Sequence, residues 1–166
     1  MNTFQLENLA TSCPEIGPKF LGVFPSDQLP NVVPRPSSLI ANLDSSQQEG
    51  SHWVSLYFPI HGQAEYMDSY GMTASAPFRN LLGPVYRTNT VFIQSPFTAV
   101  CGQYCLYFLL QRNRLPSMDD VLAVFDRDNH LYNDVLVNRF VENHFSIDLD
   151  LFDLDWQFHQ ICRSFC

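Results

Sequence analysis

Hydrophobic and polar residues alternate most regularly between Trp53 and Phe58, where Val54, Leu56 and Phe58 share one face and Ser55 and Tyr57 the other. That period of two predicts a strand. Pro59-Ile60-His61-Gly62 reads as a turn and Ala64 to Asp68 as the returning strand of a hairpin. Shorter apolar runs predict a strand at Phe20–Phe24, a strand or short helix at Ser38–Leu43, and a strand at Thr90–Ile93. Residues 11–37 hold six of the eleven prolines and, outside Phe20–Phe24, read as loop.

After Pro96 the pattern changes. Tyr104 and the run from Leu106 to Leu110 make a segment that is apolar on nearly every side. It predicts a central buried helix from Ala99 to about Asn113, with Thr98 as its cap. Further helices are expected over Met118–Phe125 behind Ser117, over about Asn133–His144 and over about Leu154–Arg163. Strands occupy the middle and helices cluster after them. The expected class is α+β, as one domain over residues 1–166.

Composition narrows the field. Hydrophobic residues make up 46% of the chain and charged residues 16%, as expected of a chain with a core. No apolar run reaches the roughly 18 residues of a membrane span. Met1 to Glu7 lacks a basic segment followed by an apolar one, so no signal peptide is expected. The net charge of −8 disfavours binding of phosphate backbones through bulk charge. Five cysteines, an odd number without a secretion signal, point to reduced thiols and an intracellular setting. Only His159, Cys162 and Cys166 approach a zinc-ligand spacing, and no second pair completes it, so no metal is expected.

The hairpin carries candidate chemistry. A turn centred between Ile60 and His61 sets His52 opposite Ser69, with Asp68 one position away. A small adjustment makes His52 and Asp68 direct partners on one face, roughly 5 Å apart at Cβ. Cys101 falls in the first turn of the buried helix, where the helix dipole and a neighbouring imidazolium lower a thiol's pKa. His52 is the candidate base, Asp68 the group that orients it, and Cys101 the nucleophile. Gln94, seven residues before the cysteine, could offer an amide N–H to an oxyanion beside the backbone N–H of Cys101. Gly102 would let a substrate backbone come close. Cys105 shares the face of Cys101 one turn deeper and reads as core.

Ser51-His52-Trp53, Asp68 and the block from Gln94 to Cys105 resemble the motifs of the adenovirus-type cysteine endopeptidases (adenain), of the same superfamily as the SUMO and ubiquitin-like-protein proteases. Gly17-Pro18-Lys19-Phe20-Leu21-Gly22 and the closing Arg163-Ser164-Phe165-Cys166 extend the likeness over nearly the whole chain. The resemblance implies a mixed sheet flanked by helices, with the nucleophile at the start of the central one. It implies peptide-bond cleavage after small, glycine-containing motifs, with Trp53 walling a narrow cleft. It also implies maturation of structural precursors of a virus or virus-like element, in the virion and host nucleus if viral.

The chain departs from the adenoviral enzymes in carrying Asp68 where they usually have Glu. It is acidic where they are basic and use DNA, and it has no cysteine between Cys13 and Cys101 to anchor an activating peptide by a disulfide. A monomer acting on protein substrates, without cofactor, DNA or membrane, is therefore expected. The alternatives are an isopeptidase acting on host ubiquitin-like proteins and an inactive relative that only binds a partner.

Overall fold

The computed structural model describes residues 1–145. The helix expected over Leu154–Arg163, the His159/Cys162/Cys166 cluster and the closing Arg163–Cys166 motif lie outside the described residues. Strands β1 (Phe20–Phe24), β2 (Ser37–Asn42), β3 (Trp53–Phe58), β4 (Ala64–Met67) and β5 (Tyr86–Thr88) form one sheet in that spatial order. The outer pairs β1/β2 and β4/β5 are parallel and the inner pairs antiparallel, so the sheet is mixed. Helices α1 (Thr3–Ser12), α2 (Ala76–Leu82), α3 (Cys101–Arg114), α4 (Met118–Leu122) and α5 (His130–Phe145) complete the described elements, with a 3-10 turn at Gly17–Lys19.

Alternation along the strands divides the core in two. Ile40, Tyr57 and Met67 pack with Tyr104, Cys105 and Phe108 of α3, Leu6 of α1 and Val141 of α5. Leu39, Val54, Leu56 and Tyr66 point the other way and are covered by Phe78 and Leu82 of α2. The first ten residues of α3, Cys101 to Leu110, are all buried. Each large apolar side chain there contributes about 1.5–3 kcal/mol by leaving water. Farther along the helix, Arg112 grips Glu65 of β4 through Nε–Oε2 at 2.7 Å and Nη2–Oε1 at 3.0 Å, with both side chains nearly buried. This two-pronged contact sets the rotation and height of α3 over the sheet.

Several expectations are corrected. Of the two forms expected for Ser38–Leu43, the strand is the one formed, over Ser37–Asn42 between β1 and β3. Thr90–Ile93 is not a strand; the fifth strand is Tyr86–Thr88. The cause is Asn89, whose side chain bonds both backbone polar groups of Asp68 and so replaces the next rung of the β4/β5 ladder. Helix α3 begins at Cys101 rather than Ala99, and Thr98 does not cap it, because its hydroxyl donates to the Ser95 carbonyl and to Asp134. Helix α4 stops at Leu122 and α5 begins at His130. Two helices come without a sequence expectation: α1, capped by a reciprocal Asn2–Gln5 box, and α2, which opens on Ala76-Pro77 and closes at Gly83.

Candidate active site

The start of β3, the end of β4 and the start of α3 meet at one end of the sheet. His52 lies one residue before β3 and Asp68 one residue after β4. The pairs Ser55–Met67, Leu56–Tyr66 and Tyr57–Glu65 set the register. Extended outward, that register puts His52 opposite Tyr70 and Asp68 opposite Val54. The loop Pro59–Gln63 is centred on His61, so the pairing differs by one residue from a turn centred between Ile60 and His61. His52 and Asp68 are therefore diagonal neighbours, not direct partners. Diagonal side chains on one face remain within reach, and His52 Nε2 lies 2.7 Å from Asp68 Oδ1. His52 is buried and Asp68 is fully so.

Two further contacts hold the carboxylate and the ring. The Tyr70 backbone N–H donates to the same Asp68 Oδ1 at 2.8 Å. The Tyr70 ring stacks on the imidazole with centroids 4.7 Å apart and planes 20° from parallel. Gly71 makes this turn possible: its φ is +65°, and a Cβ there would lie 2.8 Å from the Val91 backbone.

Cys101 opens α3, where the first N–H groups have no intrahelical acceptor and the dipole favours a negative charge. Burial resists ionisation of this thiol, but the facing His52 and the Trp53 backbone N–H outweigh it, and the pKa is lowered. Burial likewise resists charging of His52, but Asp68 and then Cys101 outweigh it and raise the imidazole to about 9. With Nε2 held by Asp68, Nδ1 is the nitrogen left for the sulfur. Both shifts favour the thiolate–imidazolium form of the pair. Cys105, one turn on, is fully buried, and burial drives its thiol well above the ordinary value. The two thiols on one helix face are thus opposite in character.

Gln94 is fully buried at the end of the segment that leads to the helix. Its Oε1 accepts from Ser69 Oγ at 2.7 Å, and its Nε2 donates to the Thr98 carbonyl at 2.8 Å and to the Tyr70 hydroxyl at 3.2 Å. The Ser69 carbonyl accepts from the N–H groups of Ile93 and Gln94, so the turn after β4 is fastened to this segment. From the other side, Asp134 of α5 accepts from the Ser95 N–H, Thr98 Oγ1 and Tyr104 Oη.

Trp53 is half-buried, and its indole N–H donates to the Met1 carbonyl at 3.1 Å. It borders a groove of about 420 Å³ shared with Met1, Asn42, Asp44, Glu49 and Gly50. Gly102 abuts α1: a Cβ there would lie 3.1 Å from Leu6 Cδ2 and 3.3 Å from Met1 Cβ. Its missing side chain is used in packing, a need the sequence did not reveal. Tyr70, Asn89 and Asp134 also went unseen. Tyr70 had one legible signal, since it follows Asp68 by two residues and so shares its face.

Cys13, Cys101 and Cys105 are free thiols. Among the described residues, no group of three or more His, Cys, Asp or Glu could hold a metal ion, and no helix is long and apolar enough to cross a membrane.

The fold is α+β, a mixed five-stranded sheet with helices, and it matches that of a viral protease. That protease is pS273R of ASFV: its crystal structure superposes with a TM-score of 0.54 at 17% identity, over 80% of this chain and 64% of that one. A selenomethionine form of the same protein gives a TM-score of 0.45 at 22% identity, over 61% of this chain and 44% of that one. The chain thus covers less than two-thirds of the length of these neighbours, and at such identities the likeness is one of fold. No family model matches the sequence, and no curated protein matches it.

Proposed function

We propose that this chain is a cysteine endopeptidase of the adenain type, with Cys101 as nucleophile, His52 as acid–base and Asp68 as its orienting carboxylate. One observation carries the reading: the 2.7 Å His52–Asp68 contact adjoins a helix-start thiol of lowered pKa. The Cys101 thiolate attacks the scissile carbonyl, and the carbonyl electrons move to oxygen. That oxyanion is held at a corner formed by the Cys101 backbone N–H and Gln94. As the tetrahedral adduct collapses, the His52 imidazolium protonates the leaving amine and a thioester remains. His52 then takes a proton from water, the resulting hydroxide displaces the Cys101 thiolate, and the acid product leaves.

The groove beside Trp53 is the proposed seat of the peptide before the scissile bond, where a narrow wall favours glycine. The proposed substrates are structural precursors of a virus or virus-like element, cut inside the cell or virion by a monomer needing no cofactor. Arg112 and Arg114, the one close basic grouping in the sequence, are engaged by Glu65 and Glu15. That supports action without DNA, and the lack of any cysteine between Cys13 and Cys101 supports action without a disulfide-linked peptide. A panel of glycine-containing precursor peptides and ubiquitin-like C-termini tests the reading. Cleavage of the first set, abolished by Cys101→Ala and largely kept by Cys105→Ala, is expected. Cleavage confined to ubiquitin-like conjugates would make the chain an isopeptidase instead.

A further inference from the structure

The groove beside Trp53 adjoins the proposed reacting groups on two sides. Trp53 follows His52, and Met1 lies against Gly102, the residue after Cys101: a Cβ on Gly102 would meet Met1 Cβ at 3.3 Å. The Trp53 indole joins these two walls through the Met1 carbonyl. Asn42 pairs with Trp53 across β2 and β3 and lines the same groove with Asp44 and Glu49. The acidic groups here are not used alike. Asp27 accepts from the Ser46 N–H at 2.7 Å and from Ser46 Oγ at 2.8 Å, which fastens the loop after β2. The Asp44 and Glu49 carboxylates form no ion pair with any described residue, the Met1 amino group included. No Lys, Arg or His is among the described residues that line the groove.

Asn42 is an independent sign of a ligand. It is only 5% exposed, and its Oδ1 accepts from the Asp44 N–H at 2.9 Å. Its Nδ2 donates to no described residue. Gly50 leaves that amide uncovered: its φ is +86°, and a Cβ there would lie 2.9 Å from Asn42 Nδ2. A buried donor calls for an acceptor, and a peptide carbonyl in the groove supplies one. We propose that the groove is a subsite for a lysine or arginine three residues before the scissile bond, with its cation at Asp44 and Glu49 and a peptide carbonyl on Asn42 Nδ2. This rests on the cysteine-protease reading and narrows its substrates to peptides with a basic residue there.

Spacing sets the position. Asn42 is one strand spacing of about 4.8 Å beyond Trp53, and an extended peptide advances about 3.3 Å per residue. A peptide with its scissile carbonyl at Cys101 passes Trp53 with its last two residues and reaches Asn42 and Asp44 with the third. The ligand chemistry follows from the donors. Among the described residues, no third His, Cys, Asp or Glu joins the two carboxylates to enclose a metal ion, so the cation they suit is an organic one. Lysine and arginine carry their charge on apolar stems, which lie against Trp53 and Phe24 while the head meets the carboxylates. A cleft lined by one sign of charge also concentrates ligands of the other.

The test uses the whole chain and the peptides acetyl-alanyl-X-glycyl-glycyl-serinamide, cut before serine, with X as lysine, glutamine or glutamate. At low salt kcat/KM for lysine should exceed that for glutamine about tenfold, the scale of two partly exposed charge pairs, and glutamate should be poorest. Added salt should shrink the ratio. In the double variant Asp44→Asn with Glu49→Gln the lysine-to-glutamine ratio should fall below twofold. Both changes keep side-chain shape, and a ratio taken within one protein cancels any general loss of activity. A ratio within twofold in the unsubstituted chain overturns the proposal, as does a preference that survives the double substitution. Failure of the protease reading looks different: no peptide is cut whatever X is, and the proposal falls with it.

Discussion

Asn89 closes on Asp68 from both sides: its Oδ1 accepts from the Asp68 N–H at 2.9 Å, and its Nδ2 donates to the Asp68 carbonyl at 2.5 Å. One side chain thus stands in for a strand partner where β5 ends, and it fixes the backbone that carries the Asp68 carboxylate. Asn89→Ala leaves two buried backbone groups without this partner, at a cost of about 1–3 kcal/mol each. Denaturant unfolding should show the loss, and kcat should fall with it. Unchanged kcat in the folded variant would separate Asn89 from the placement of Asp68.

The ionisation of the pair sets the pH profile. Below the lowered pKa of Cys101 the thiol keeps its proton, and kcat/KM falls on the acid side. Above about 9 His52 loses the proton that the leaving amine needs, so the rate falls again. Asp68→Asn removes the negative charge that holds the imidazole up and leaves burial to push it down, so the alkaline limb should move to lower pH. Profiles of both proteins check this, and an unmoved alkaline limb would count against Asp68 as the tuning group.

Glu65 and Arg112 form the buried tie between β4 and α3. Arg112→Ala leaves Glu65 desolvated and unpaired, which should cost about 3–5 kcal/mol. For a chain of this size that is a drop in Tm on the order of 10 °C. The double variant Glu65→Leu with Arg112→Met should recover much of it, since no charge is then stranded. Thermal unfolding of the three proteins gives the answer.

Asp134 gathers Ser95, Thr98 and Tyr104 beneath the segment before Cys101. Asp134→Ala should loosen Gln94 through Thr98, whose carbonyl holds the amide. A misplacement of about 1 Å at a reacting centre costs on the order of 10²-fold. The expected outcome is a kcat loss of that size. Iodoacetamide labelling of Cys101 should change far less, because the thiolate depends on His52 instead.

Duplex DNA titrated into a cleavage assay at low salt should leave kcat/KM unchanged. A chain of net charge −8 meets a polyanion with repulsion rather than counterion release. A tenfold rise that disappears on adding salt would show that a local surface outweighs net charge.

Periodicity and spacing determined a good deal by themselves. The β3/β4 hairpin and the buried α3 follow from local patterns, because burial imposes a period of two on strands and leaves a central helix apolar all round. The helix start at the cysteine was legible to within two residues. Tertiary structure alone decided which side chains complete the site. Asn89 ends β5 by bonding a backbone twenty-one residues earlier, and Asp134 reaches the segment before Cys101 from a helix that follows it. The His52–Asp68 diagonal depended on a loop centred on His61, one residue from the pairing the turn suggested. Gly102 fits closely against Leu6 of α1, which lies about a hundred residues upstream. Such contacts are hydrogen bonds and close approaches between segments remote in sequence, and no local period encodes them.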